Sequence, residues 1–222
     1  MLKTTEFVSL TNEVENGPQL PLRMMDHCMT FIHSDVVMFL GGNTEVERES
    51  KQTWTYQFSK QAWTQKADFK TKRSNFGCAT FERNGQNVVV LIGGHPNSVE
   101  FYDFETDTWS AGPDFPVKVK GLQALTNEKG DGVLVIGGDV ENESTGLNRM
   151  TNSVYELSCI ENECKWVKLS STLSAPRSYH VAMLVPSNFT VCNKALPCSN
   201  HMNFLCLMLL SCVVVYKSNF DF

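Results

Sequence analysis

The sequence predicts an all-β chain of repeated four-stranded units that stack on one another, and three observations carry that prediction. First, Val36–Leu40, Val88–Ile92 and Gly132–Ile136 are apolar runs that each end in a glycine pair, and the pairs begin at 41, 93 and 137, with spacings of 52 and 44. Second, each pair is followed by an aromatic residue and then a Trp: Tyr56 to Trp63, Tyr102 to Trp109 and Tyr155 to Trp166, separated by 7, 7 and 11 residues. An insertion of four residues accounts for the third. Third, no stretch carries a helical period of apolar residues.

Each element follows from these runs. Five apolar, β-branched-rich residues bounded by glycine are too short for a helix and read as strands buried on both faces; Phe101–Phe104 and Ser153–Leu157 read as half-buried strands. The joints Gly17-Pro18-Gln19-Leu20-Pro21 and Gly112-Pro113-Asp114-Phe115-Pro116 share a pattern, and Val14 fills the Trp slot of the first. A basic residue then opens each unit: Arg23, Arg73, Lys120 and Arg177 mark four unit starts. Cys28 and Cys78 each lie five residues after an opening Arg, which makes them the same slot and therefore small core residues. A lone four-stranded sheet cannot cover both its faces, so the units must pack on their neighbours, and radial stacking of twisted sheets about an axis manages their edges.

Composition narrows the function. The 222 residues, 42% hydrophobic and 19% charged, suit a globular chain, and the net charge of −5 disfavours nucleic acid or an acidic membrane surface as the main partner. The N-terminus carries an acidic residue and no apolar run, so no secretory signal is expected and a cytoplasmic, reducing setting follows, with the eight Cys as thiols. Cys159 and Cys164 flank an expected hairpin and come within disulfide reach, although thiols are favoured in that setting. The five His form no ligand spacing and no phosphate-binding loop occurs, so no metal, cofactor or catalytic residue is expected.

The glycine pairs, the spaced Tyr and Trp and the opening Arg together resemble the kelch repeat over roughly residues 7 to 187. The resemblance implies a kelch-type β-propeller that is incomplete or open: about three complete four-stranded blades (22–66, 67–112 and 113–169), a partial blade over 1–21 and the first strand of a further blade over 170–187. The signature residues are Gly41, Gly42, Tyr56, Trp63, Gly93, Gly94, Tyr102, Trp109, Gly137, Gly138, Tyr155 and Trp166. In the first unit, Arg23 to Phe31 is like an innermost strand and Trp63 to Lys66 the outermost. From about Ser187 the repeat is lost, and 188–222 forms an apolar, Cys-rich tail. Its run Phe204–Tyr216 is short for a bilayer span, leaving a tail anchor, an association-prone segment or an unevolved tail as readings.

The resemblance further implies a non-enzymatic protein-interaction module whose loops bind a partner, such as a ubiquitin-ligase substrate or actin. No BTB domain is evident, so a ligase-adaptor role is expected of a longer relative. Alternatives are a tail-anchored or non-functional truncated isoform and, less favoured, a propeller enzyme. Because repetition marks scaffold, partner-binding candidates are the non-repeating residues after the glycine pairs: Glu45, Glu47, Arg48, His95, Asn97, Glu141, Glu143 and Arg149. The first and third of these loops are net acidic, which favours a basic partner motif. Uncovered blade faces at either end predict self-association.

Overall fold

The computed structural model describes residues 3–8, 14–94, 96–142, 144–160, 163–186 and the strand 212–218. Among them every regular element is a strand. The first two, β1 (Glu6–Val8) and β2 (Val14–Asn16), pair only with each other, so Val14 lies in a small hairpin. The first blade is β4 (Cys28–His33), β5 (Val36–Thr44), β6 (Ser50–Gln57) and β7 (Ala62–Lys66), with β3 (Met24–Met25) pairing the far end of β5. The second is β8 (Gly77–Arg83), β9 (Gln86–Ile92), β10 (Val99–Asp103) and β11 (Thr108–Ala111). A short strand β12 (Val119–Lys120) joins the hairpin β15 (Asp139–Glu141) and β16 (Asn148–Met150) beside the third blade, which is β13 (Gln123–Thr126), β14 (Gly132–Ile136), β17 (Ser153–Ile160) and β18 (Glu163–Thr172). β19 (Val181–Pro186) then lies beside β13 and opens a fourth blade, and β20 (Cys212–Ser218) pairs with it in parallel. This is the all-β propeller arrangement that the repeats predict.

The blades pack face to face. Met38 and Leu40 of the first blade meet Val89, Leu91 and Cys78 of the second; Val90, Ile92, Ala79 and Phe81 on the second blade's other face meet Val133, Val135 and Ala124 of the third. Alternation along a strand puts successive residues on opposite faces, so each central strand is apolar throughout and serves two cores.

The glycine pairs have a specific role. All six glycines have positive φ, from 53° to 108°. The second of each pair donates its N–H to the entry of the next blade: Gly42 to Arg73 at 3.0 Å, Gly94 to Val119 at 2.9 Å and Gly138 to Arg177 at 2.8 Å. A Cβ on Gly42 would stand 2.5 Å from the Met25 carbonyl oxygen, and one on Gly94 2.7 Å from that of Ser74. Only glycine lets the two backbones pass there.

A second inter-blade link runs two residues upstream of each inner strand. Asp26, Asn75, Gly121 and Tyr179 precede β4, β8, β13 and β19 by the same two residues, and all four are left-handed, with φ of 55°, 56°, 61° and 50°. They are joined in series: Asn75 N–H donates to Asp26 C=O at 3.1 Å, Gly121 N–H to Asn75 C=O at 2.7 Å and Tyr179 N–H to Gly121 C=O at 2.8 Å.

The cysteines correct the sequence reading. Counted from the left-handed residue, Cys28 is the first position of its inner strand and Cys78 the second. They therefore occupy opposite faces, Cys28 towards the second blade and Cys78 towards the first, and they form a disulfide with a Cα separation of 6.0 Å. Cys159 and Cys164, directly paired at the end of the β17–β18 hairpin, form another. Counting from Arg placed both inner-strand cysteines in one slot because the entry to the second blade is one residue shorter.

Candidate functional site

At the end of the blades that carries the glycine pairs, a cavity of about 390 Å³ opens between the first and second blades. Its wall is polar: Asp26, Asn43, Arg48, Glu49, Ser74, Asn75 and Lys120 line it with Met25 and Gly94. The β5–β6 turn that supplies Asn43, Arg48 and Glu49 is fixed by its own short side chains. Thr44 Oγ1 accepts the N–H of Glu47 at 3.1 Å, and Thr44 N–H donates to Glu47 C=O at 2.9 Å. Asn43 Oδ1 accepts Glu49 N–H at 3.1 Å, while its Nδ2 donates to Asp26 Oδ2 at 2.9 Å, fastening the turn to the entry of the first blade. Hydroxyl and amide side chains that satisfy nearby backbone groups hold such turns in place.

Two of the three acidic side chains of this turn, Glu45 and Glu47, are engaged within the chain. Glu45 pairs with Lys3 at 3.4 Å and Arg23 at 3.7 Å, and Glu47 pairs with Lys72, which holds the Glu47 carboxyl below its ordinary range. Their charge is compensated before any partner arrives, so the net acidity of the loop overstates its pull on a basic motif. Arg48 is exposed at the cavity.

Of the sequence candidates, the structure brings Arg48 into the cavity wall, with Glu45 and Glu47 bracing the turn behind it. Asn97 is half-buried, and its carbonyl accepts the Phe115 N–H at 2.7 Å. Glu141 and Arg149 stand on the β15–β16 hairpin, outside the cavity wall but on the sheet that β12 joins through Lys120 and Asp139. His95 and Glu143 lie outside the described residues. The wall residues that sequence reading missed, Asp26, Ser74, Asn75 and Lys120, stand just before inner strands. The signal that marks them is a polar residue able to adopt the left-handed conformation beside the opening Arg, and it is visible at Asp26 and Asn75.

The repeat signature is structural where it can be followed. Tyr56 opposes Trp63 and Tyr102 opposes Trp109 in register, whereas Trp166 opposes Leu157, two residues along from Tyr155, in the lengthened third hairpin. Trp109 Nε1 donates to Ala67 C=O at 2.8 Å and Trp166 Nε1 to Pro113 C=O at 2.9 Å, each tying an outermost strand to its blade's entry. The corresponding Trp63 Nε1 is buried with no acceptor among the described residues. Burial raises the Tyr102 phenol well above its usual range, and its hydroxyl donates to Asp107 at 2.7 Å.

Of the opening cations only Arg73 is fully buried, donating to Gly93 C=O, Ser98 C=O, Ser98 Oγ and the buried Glu100 carboxylate at 2.7–3.0 Å. His180 is buried against Gly137, and burial, then Arg177, holds its imidazole below the ordinary range.

No protein-family model matches the chain. Kelch-like protein 40 of Xenopus laevis is 31% identical over 159 residues, covering 68% of this chain and 24% of the relative. Kelch-like protein 41b of Danio rerio is 24% identical over 142 residues, 60% of this chain and 22% of the relative, and alpha-scruin of Limulus polyphemus is 26% identical over 168 residues, 70% and 17%. The chain thus spans about a quarter or less of the length of these relatives. Among solved structures, that of YjhT matches with a TM-score of 0.59 at 16% identity, covering 75% of this chain and 57% of the other, a likeness of fold alone. With its glycine-paired repeats, its stacked blades and these relatives, the chain belongs to the kelch-repeat family.

Proposed function

We propose that the chain is a protein-binding module that engages a partner protein at the glycine-pair end of its blades. The observation that carries this reading is the polar cavity between the first and second blades, walled by Arg48, Asp26, Asn75 and Lys120 from separate loops on a rigid scaffold. Loops held by a scaffold are where binding side chains concentrate, and a wall of mixed charge suits a partner segment bearing charged and hydrogen-bonding groups. Glu141 and Arg149 extend the contact surface from the neighbouring hairpin. The kelch-like and scruin relatives support protein partners in general; a ubiquitin-ligase substrate and actin are the partner classes to test first.

A photo-crosslinking residue in place of Arg48, with a control in place of Lys60 on the opposite β6–β7 turn, tests this in cells. Adducts with a discrete partner are expected from position 48 and not from 60. The double substitution Arg48→Ala/Lys120→Ala should weaken capture of that partner about tenfold or more while leaving the melting temperature unchanged. Equal adducts from both positions would refute the assignment of this face.

A further inference from the structure

The β15–β16 hairpin presents a strand edge beside the cavity. Asn142 N–H donates to Leu147 C=O at 2.9 Å and Thr151 N–H to Gly138 C=O at 2.9 Å. Antiparallel strands bond at alternate residue pairs, so Val140 and Arg149, in register midway between those two pairs, form the bonded pair of the hairpin. On the other side of β15 the complementary residues are used: Glu141 N–H donates to Lys118 C=O at 3.1 Å, and Asp139 opposes Lys120. Asn148 and Met150 therefore turn their backbone N–H and C=O groups away from β15, and β16 is the last strand of its sheet among the described residues.

This edge stands where the outermost strand of the third blade stops. β18 ends at Thr172, opposite Ser153, and Leu173 N–H makes a last bond to Asn152 C=O at 2.9 Å. No described strand continues that line beside β16. The side chains along the edge are open to solvent, with Leu147 70% and Met150 51% exposed, and Asn148 and Arg149 are exposed with them. Among the described residues Arg149 makes no ion pair or hydrogen bond through its guanidinium. The carboxylates of Asp139 and Glu141 lie one strand further in and on the sheet face opposite Arg149, because successive residues alternate.

We propose that this edge takes an extended acidic segment of the partner protein as an added antiparallel strand, with a carboxylate opposite Arg149 and apolar side chains opposite Met150 and Leu147. The proposal rests on the reading of this end of the blades as the contact face. Asn148 and Met150 supply two donors and two acceptors to the added strand, and directly opposed side chains share a face and interact, which sets the preference for acid at the middle position. A second copy of this chain is a poor occupant, since antiparallel self-pairing centred on β16 sets one Arg149 opposite the other, and like charges so placed repel.

Binding of the fluorescent peptide Thr-Val-Asp-Thr-Val to the full 222-residue chain, followed by anisotropy, tests the edge. Its Asp falls opposite Arg149 and its two Val opposite Met150 and Leu147. N-methylation of the first Val or the second Thr removes an N–H that faces β16 and should weaken binding about tenfold or more, whereas N-methylation of the Asp, whose N–H faces away, should change it less than twofold. Arg149→Glu should reverse the preference for this peptide over its Lys-for-Asp counterpart. By hydrogen exchange, the Asn148 and Met150 amides should exchange faster than that of Arg149 in the free chain and slow when the peptide is added. No saturable binding, N-methyl effects without this alternation, an unchanged charge preference, or slow Asn148 and Met150 amides in the free chain would each overturn the proposal. Crosslinking from position 48 reads the contact face separately: discrete adducts there without peptide binding at β16 would overturn the added strand alone, and equal adducts from 48 and 60 beside alternating N-methyl effects would overturn the assignment of the face and support the strand.

Discussion

Arg73 shows how one residue can hold a blade junction. Its guanidinium is fully buried, yet it spends its donors on three carbonyls, a hydroxyl and the Glu100 carboxylate, whose oxygens in turn accept the N–H groups of Lys70 and Thr71 at 2.7 and 3.1 Å. The pair therefore ties the entry of the second blade to β10. Removing one member of a buried ion pair strands the other charge, which costs about 3–5 kcal/mol. Arg73→Ala should lower the unfolding free energy by that amount, measured by denaturant titration, whereas Arg23→Ala, at a side chain more than half exposed, should change it by less than about 1 kcal/mol. Equal losses would mean that the buried network contributes no more than a surface pair. The sequence presents Arg23 and Arg73 as equivalents, because the repeat marks the slot but not the depth at which each side chain is buried.

At the scale of strands, the disulfide between β4 and β8 is the one covalent tie between blades among the described residues. It closes a loop across 50 residues of sequence, and the loss of loop entropy in the unfolded chain is worth about 4 kcal/mol. Cys28→Ser/Cys78→Ser should lose about that much stability relative to the oxidised protein, while Cys159→Ser/Cys164→Ser, closing a separation of only 5 residues, should lose about half of it. If both losses are the same, loop entropy is not the source. The sequence made the strands legible because glycine pairs and apolar runs repeat, and alternation then assigns the central strands to two cores. It did not make the pairing of Cys28 with Cys78 legible, since the face of a strand flips with one residue of register, and the entries to the two blades differ by that one residue. The cavity was half legible for the same reason: Arg48 stands in a loop that does not repeat, whereas Asp26 and Asn75 are hidden inside a part of the repeat that looks like scaffold.

For the whole molecule, stacked blades behave as a short one-dimensional array in which each unit is stabilised by its neighbours. The second blade has a neighbour on both faces, and Val89–Ile92 and Val133–Ile136 are at most 4% exposed, so their amides should exchange with solvent most slowly, at rates set by global unfolding. Among the described residues the inner strands Cys28–His33 and Val181–Pro186 border a neighbouring blade on one side only, and their amides should exchange through local opening. Hydrogen exchange followed by mass spectrometry should therefore show β4 and β19 exchanging faster than β9 and β14. Equal protection of all four strands, with one common dependence on denaturant, would mean that the stack opens as a single unit rather than from its ends.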